Sequence, residues 1–339
     1  MKKTLSFLLA AVMLISVFLC GCGEEKNPPK KDSTGEYCLA MTPSEADKKE
    51  IDEVLESFLK CYEEGRAEDA CSLFNKDFTG ETEEIASFFE EIKKVCKAPF
   101  APFDGYYVSG LEVSDLPIKV KHTEEDTNYV ELIPASDELY CGLFVSEGEK
   151  TSYIFSLLLA KENGDWKLAW VNVGDLSYNG KTAPELYAKT VELEGSGKLL
   201  SAYIYSCLLA NTFRPGEYMR YEADTEMEDI CYRLYAEVTD KFKAPVVLEN
   251  TSGSEVFAIR IINDEVEGMI PLFLVKTDVP ISDRDALVSE AGKVIDALEL
   301  LSPGLRENFT HASFSMTNDD IDENNPAPKA SESFVIGLN

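Results

Sequence analysis

Ser152-Tyr-Ile-Phe-Ser-Leu-Leu-Leu-Ala-Lys161-Glu162-Asn163-Gly164-Asp165-Trp166-Lys-Leu168-Ala-Trp170-Val-Asn-Val173 reads as two strands joined by one tight turn. Asn-Gly is the dipeptide that best tolerates the two positive φ angles of a type I′ turn, whose twist matches that of the flanking strands. β-branched and aromatic residues on both arms favour extended backbone. Trp166, Leu168 and Trp170 alternate, so the second arm is expected to turn them to one core.

Upstream of the hairpin the same period of two continues over residues 106–113, 118–122, 129–133 and 139–145. With the hairpin these make six expected strands. Before Pro99 and Pro102 the period is helical. Thr42-Pro43-Ser44-Glu45 sets out an N-cap, a first-turn proline and a capping-box acid. Ile51, Val54, Leu55, Phe58, Leu59 and Tyr62 then form one apolar stripe at helical spacing. That helix is expected to stop near Gly65, with shorter helices over 67–74 and 83–97.

Downstream, Thr182-Ala183-Pro184-Glu185 is a second capping box. It opens a helix to Glu194, and a second helix runs from Leu199 to Phe213, where Pro215 stops it. The hairpin is similar to a single tetratricopeptide unit. Solenoid stacking needs about three such units, so the pair is expected to be a connector. Thr225 and Glu228 read as the cap of a helix reaching 242. Strands over 246–249, 255–262 and 269–276, a helix over 283–301 and a strand over 312–316 complete an α-β-β-β-α-β order, that of a small α+β domain. From Asp319 the chain is acidic and rich in Asn and Pro, which predicts a disordered tail with a frayed tip at 334–338.

The amphipathic first helix, the Glu64-Gly65-Arg66-Ala67-Glu68-Asp69-Ala70 turn into the second, and the strands closing on Glu162-Asn163-Gly164-Asp165-Trp166-Lys167-Leu168 together resemble the NTF2-like fold. That fold is a curved antiparallel sheet wrapped round helices into a cone. The resemblance covers residues 45–175 and is in particular to the NTF2-like domains attached to bacterial lipoproteins. The fold class expected is therefore α+β, with an NTF2-like cone, a helical hairpin and a small C-terminal α+β domain. Enzymes of that family place a buried Asp or His and a Tyr in the cone to move protons beside a carbonyl. Here the resemblance casts Asp104 with Tyr106 or Tyr107 in those roles. Pro102-Phe103-Asp104-Gly105 itself reads as a turn, and a core packed with side chains is the competing expectation.

At the N-terminus, Lys2 and Lys3 precede an uncharged apolar run from Leu5 to Leu19, the pattern of a secretory signal. The run falls short of the roughly 20 apolar residues of a membrane span. Leu19-Cys20-Gly21-Cys22 resembles the lipobox of bacterial lipoproteins, in which a diacylglyceryl group is added to the cysteine and the chain is cut just before it. The resemblance implies Cys22 as the lipidated residue, rather than Cys20, and a location on the outer face of the bacterial membrane. Two acyl chains anchor stably where one holds only marginally. The expected organisation is a signal over 1–21, a flexible tether over 22–42, the NTF2-like domain over 43–178, the hairpin over 179–220, the α+β domain over 221–318 and the tail over 319–339.

The formal charge of -30 repels phosphate backbones and anionic lipid headgroups, so nucleic acid is not an expected partner. The membrane is expected to be met through the lipid. A protein, cell-wall or small-molecule partner stays open. Removing Cys20 and lipidating Cys22 leaves an odd number of cysteines with no CxxC or Cys/His pattern. Cys61 and Cys71 are the nearest candidates for a disulfide.

No cofactor or metal is expected. His122 and His311 stand far apart in the sequence, and no HExxH, GxSxG or P-loop pattern occurs. Ser57-Phe58-Leu59-Lys60 matches the S-x-x-K of penicillin-binding enzymes. At 100° per residue, however, Ser57 and Lys60 fall about 240° and about 180° from Ile51, on the solvent side of the helix. Asp320-Ile321-Asp322-Glu323-Asn324 begins like a calcium loop, but Asn325 and Ser331 replace its glycine and its bidentate acid. The chain thus reads as a lipid-anchored, non-enzymatic binding or scaffold protein. An isomerase or hydrolase using the cone is one alternative. A transporter's solute-binding lipoprotein is another, although the βαβ alternation of those proteins is missing.

Overall fold

A computed structural model describes residues 29–320 and 328–338. Cys22 and, of the calcium-like run, residues 321–325 lie outside them, while Asp320 is described and pairs with Lys276. The fold is mixed α+β. In chain order the elements are β1 (Tyr37–Leu39), α1 (Glu45–Glu64), α2 (Ala67–Cys71), α3 (Thr82–Val95), β2 (Ala101–Ser109), β3 (Ile118–Lys121), β4 (Asn128–Leu132), β5 (Glu138–Ser146), β6 (Thr151–Glu162), β7 (Asp165–Tyr178) and β8 (Lys181–Thr182). They continue with α4 (Ala183–Gly195), α5 (Leu199–Thr212), β9 (Met219–Tyr221), α6 (Asp224–Lys241), β10 (Val246–Val247), β11 (Glu255–Asp264), β12 (Gly268–Lys276), α7 (Arg284–Leu301), α8 (Leu305–Asn308), β13 (His311–Thr317) and β14 (Glu332–Gly337).

The hairpin closed by Asn163-Gly164 is β6–β7. Glu162 pairs with Asp165 across Asn163 and Gly164, whose φ angles are 53° and 95°. It lies in the middle of a curled antiparallel sheet of order β2-β5-β6-β7-β8. Every residue from Ile154 to Ala160 is buried, because both faces of this sheet are covered. Phe155, Leu157 and Leu159 face α1–α3, whereas Ile154, Leu158 and Ala160 face the other way.

The single alternation expected for Trp166, Leu168 and Trp170 is corrected by a bulge. Leu159 pairs with Leu168 but Leu158 with Trp170, so Ala169 is the extra residue and side-chain parity flips there. Trp166 and Leu168 pack toward the helices, and Trp170 packs on the opposite core.

That opposite face is covered by a second sheet of order β1-β3-β4-β9 and by α5. Three sequence expectations change here. β3 and β4 leave the main sheet. β1 pairs in parallel with β3, so the C-terminal part of the expected tether is folded: Cys38 is buried and Tyr37 meets Tyr129 edge to face. The helical hairpin is no mere connector, since α5 is buried on nearly all sides, the pattern of an interior helix. It touches β7, β11, α4 and α6. A Cβ on Gly174 would lie 2.1 Å from the Gly216 nitrogen, so glycine is what lets this segment rest directly on β7.

The C-terminal sheet has order β10-β11-β12-β13-β14. β12 and β13 are parallel, which requires a crossover, and α7 and α8 supply it. The expected frayed tip is instead β14, paired with β13, with Phe334 stacked on Phe314 at 6.1 Å and Leu338 buried. Its apolar alternation at Phe334, Ile336 and Leu338 fills the edge of the core.

Local signals shift by a residue or two. Ser44, not Thr42, caps α1 by accepting from the Asp47 N–H. Thr182 and Glu185 form the expected capping box of α4, whereas α6 begins after Ala223 without a side-chain cap. Ser57 and Lys60 are exposed. Cys61 and Cys71 are free thiols, as are the other cysteines of the described residues.

Candidate functional site

Asp104 sits on β2 just after a bulge between Pro102 and Asp104, so its turn-like sequence marks a bent strand rather than a loop. Residues two apart share a face of a strand. Asp104 and Tyr106 are therefore brought together on the face turned toward the second sheet, and Tyr107 points to the helices.

His122, which follows β3, completes the first group. Its Nε2 lies 2.8 Å from Asp104 Oδ1, and its ring stacks on Tyr106 with centroids 4.4 Å apart. The Gly105 N–H donates to Asp104 at 2.8 Å, and Asn128 Nδ2 donates to the Tyr106 hydroxyl at 3.4 Å. Asp126 holds the turn by accepting from the backbone N–H groups of His122 and Thr123. Sequence spacing does not pair Asp104 with His122, because the contact depends on β3 leaving the main sheet and packing against β2.

Burial pushes the Asp104 carboxyl up, but hydrogen bonds from His122, Gly105 and Tyr106 outweigh it and hold it below the usual range. The hydrogen bond to Asp104 raises His122 above its ordinary value against the opposing effect of burial. Burial and the Asp104 charge push the Tyr106 phenol far up, so it stays protonated. The pair therefore stabilises the fold fully below about 6.5, the free histidine value, and loses this contribution as pH rises through the folded pKa of His122. On the acid side the contribution is lost as pH falls through the lowered pKa of Asp104. An NMR titration of the His122 ring should give a midpoint above 6.5 that Asp104→Asn returns toward about 6.5. An unchanged midpoint in that variant would remove the pairing.

A histidine oriented by a carboxylate is able to accept a proton through its other nitrogen, and His122 Nδ1 has no hydrogen-bond partner among the described residues. A nucleophile is missing from the group. Cys141, opposite Tyr106 across the β2–β5 ladder, is fully buried and its thiol is pushed far up by that burial, which makes it inert.

The second group lies where α1 enters the sheet. Tyr107 donates to Glu138 at 3.0 Å, Lys161 bridges Glu138 and Asp47, and Trp166 Nε1 donates to Asp47 at 3.0 Å. Burial raises the Asp47 carboxyl, but Lys161, Ser44 and Trp166 lower it to about 2. Each of these polar groups is satisfied within the network, which pins the helix to the sheet.

His311 pairs with Glu267 at 2.8 Å, well apart in sequence and sheet from His122. No cluster of three or more His, Cys, Asp or Glu side chains suited to a metal ion occurs among the described residues. Between the main sheet and α1–α3, the space is filled by rings. Phe155 lies within 6.2 Å, centroid to centroid, of Phe58, Tyr62, Phe88 and Phe100, and Phe58 also meets Phe74 and Phe89. Comparison with known proteins finds no matching family model, no similar curated protein and no similar solved structure.

Proposed function

We propose that this chain is a lipid-anchored protein of the bacterial cell surface, built on an NTF2-like domain, that works by binding a partner rather than by turnover. The observation that carries this reading is the ring-filled space between α1–α3 and the main sheet, where a cone-shaped enzyme of that fold would hold its substrate. Phe58 and Phe155 have no exposed surface there. The proton-accepting group, His122 with Asp104, sits on the other face of the sheet, at the rim and without a nucleophile. The lipobox-like Leu19-Cys20-Gly21-Cys22 supports the anchor. No helix of the described residues is long and apolar enough to cross a membrane, which is compatible with a lipid as the attachment.

Two assays of the full chain test the proposal. Labelled fatty acid should be incorporated by the wild type and not by Cys22→Ala, and continued labelling of the variant would remove the anchor. A screen against ester and ketosteroid-type carbonyl substrates should show no turnover. Turnover that disappears in Asp104→Asn would replace binding with the isomerase or hydrolase alternative.

A further inference from the structure

α6 buries Met227, Ile230, Leu234 and Val238, and its outward face is unlike an ordinary solvated one. Tyr232 and Tyr235, one turn apart, are 68% and 59% exposed. Glu, Lys or Gln at these positions would favour the helix more and leave no aromatic surface in water. Exposed tyrosines are instead the residues enriched where proteins bind one another.

Charge identifies the occupant. The helix carries six acidic residues against Arg233 and Lys241, and Arg233 is held by Glu194 at 3.0 Å. The Asp229 carboxylate, exposed and one turn before Tyr232, makes no hydrogen bond or ion pair among the described residues. Tyrosine faces attract cations through the ring quadrupole, and a carboxylate beside them adds a directional acceptor for guanidinium. A basic side chain meets both at once.

We propose that the Tyr232–Tyr235 face of α6 docks a basic segment of a partner protein, with arginine or lysine side chains laid on the two rings and reaching Asp229. This rests on the binding function proposed above and names the chemistry of its partner.

The test uses the full chain and a fluorescein-labelled peptide of alternating Arg and Gly, with a Glu-for-Arg twin as control, at low ionic strength. Saturable binding is expected for the Arg peptide alone, weakening with added salt. Tyr232→Ala/Tyr235→Ala should weaken it about tenfold. Both side chains are largely exposed, so the variant keeps its core. Asp229→Asn should weaken it more than Glu83→Gln, an exposed acid on α3 removed at equal cost in charge. No saturable binding, full affinity in the tyrosine variant, or equal losses in Asp229→Asn and Glu83→Gln would each overturn the proposal. Any of these leaves the binding function standing, since turnover sensitive to Asp104→Asn is what removes that.

Discussion

Phe155→Ala should cost about 3–5 kcal/mol of folding stability, the range for truncating a fully buried aromatic. Phe155 has no exposed surface and stands at the centre of the ring cluster, with Phe100 at 4.8 Å and Phe58 at 5.9 Å. Its neighbours are fixed to two different supports, Phe58 and Tyr62 on α1 and Phe88 on α3, so they are poorly placed to collapse into the space it leaves. Edge and tilted ring contacts add about 0.5–1.5 kcal/mol per pair beyond burial. Against a typical total of about 5–15 kcal/mol, the loss should appear as a large drop in the urea midpoint with little change in slope. A shift worth under about 1.5 kcal/mol would mean that the rings repack freely and that the interior is not tightly filled.

Glu290→Ala should cost about 2–4 kcal/mol, through polar groups left without partners rather than through a cavity. Glu290 on α7 is 1% exposed. It accepts from the Ser252 N–H, from the Ser252 hydroxyl at 2.9 Å, from the Ser254 hydroxyl at 2.7 Å and from Lys293 at 3.0 Å. One carboxylate therefore fastens the loop between β10 and β11 to the crossover helix. Burial pushes its pKa up, but Ser254, Ser252 and Lys293 together lower it below the ordinary value of 4.5. Its contribution is therefore complete above 4.5 and is lost as pH falls through the lowered value. The gap in stability between wild type and Glu290→Ala, measured by urea unfolding, should be wide at neutral pH and narrow on acidification. A gap constant with pH would show that the carboxylate's charge plays no part.

Elements whose signal is local were legible in the sequence. The β6–β7 turn follows from Asn163-Gly164, and the α4 start from Thr182 and Glu185. The burial of Phe58 and the exposure of Ser57 and Lys60 follow from one helical stripe. What escaped reading was long-range pairing. β3 and β4 have ordinary alternating patterns, and nothing in them says that their partners are β1 and β9 rather than β2 and β5. The same displacement hid His122 from Asp104. Trp170 was misplaced because one bulged residue, Ala169, reverses every side chain after it. The 334–338 tip looked frayed because its acidic surroundings outweighed a short alternation that Phe314 rewards with stacking. On α5, apolar residues all round the helix leave no amphipathic period to read, and only the strands and helices covering it reveal that it is interior.

The proposed binding role requires that the space between the helices and the main sheet be closed. The direct measurement is a benzene titration of the protein, followed through the methyl signals of Ile51, Leu55, Leu157 and Leu159, all of which line that space. A filled interior takes up no apolar guest, so these signals should drift linearly and weakly. A saturable shift confined to them would reveal an open cavity of substrate size and overturn the closed-core reading.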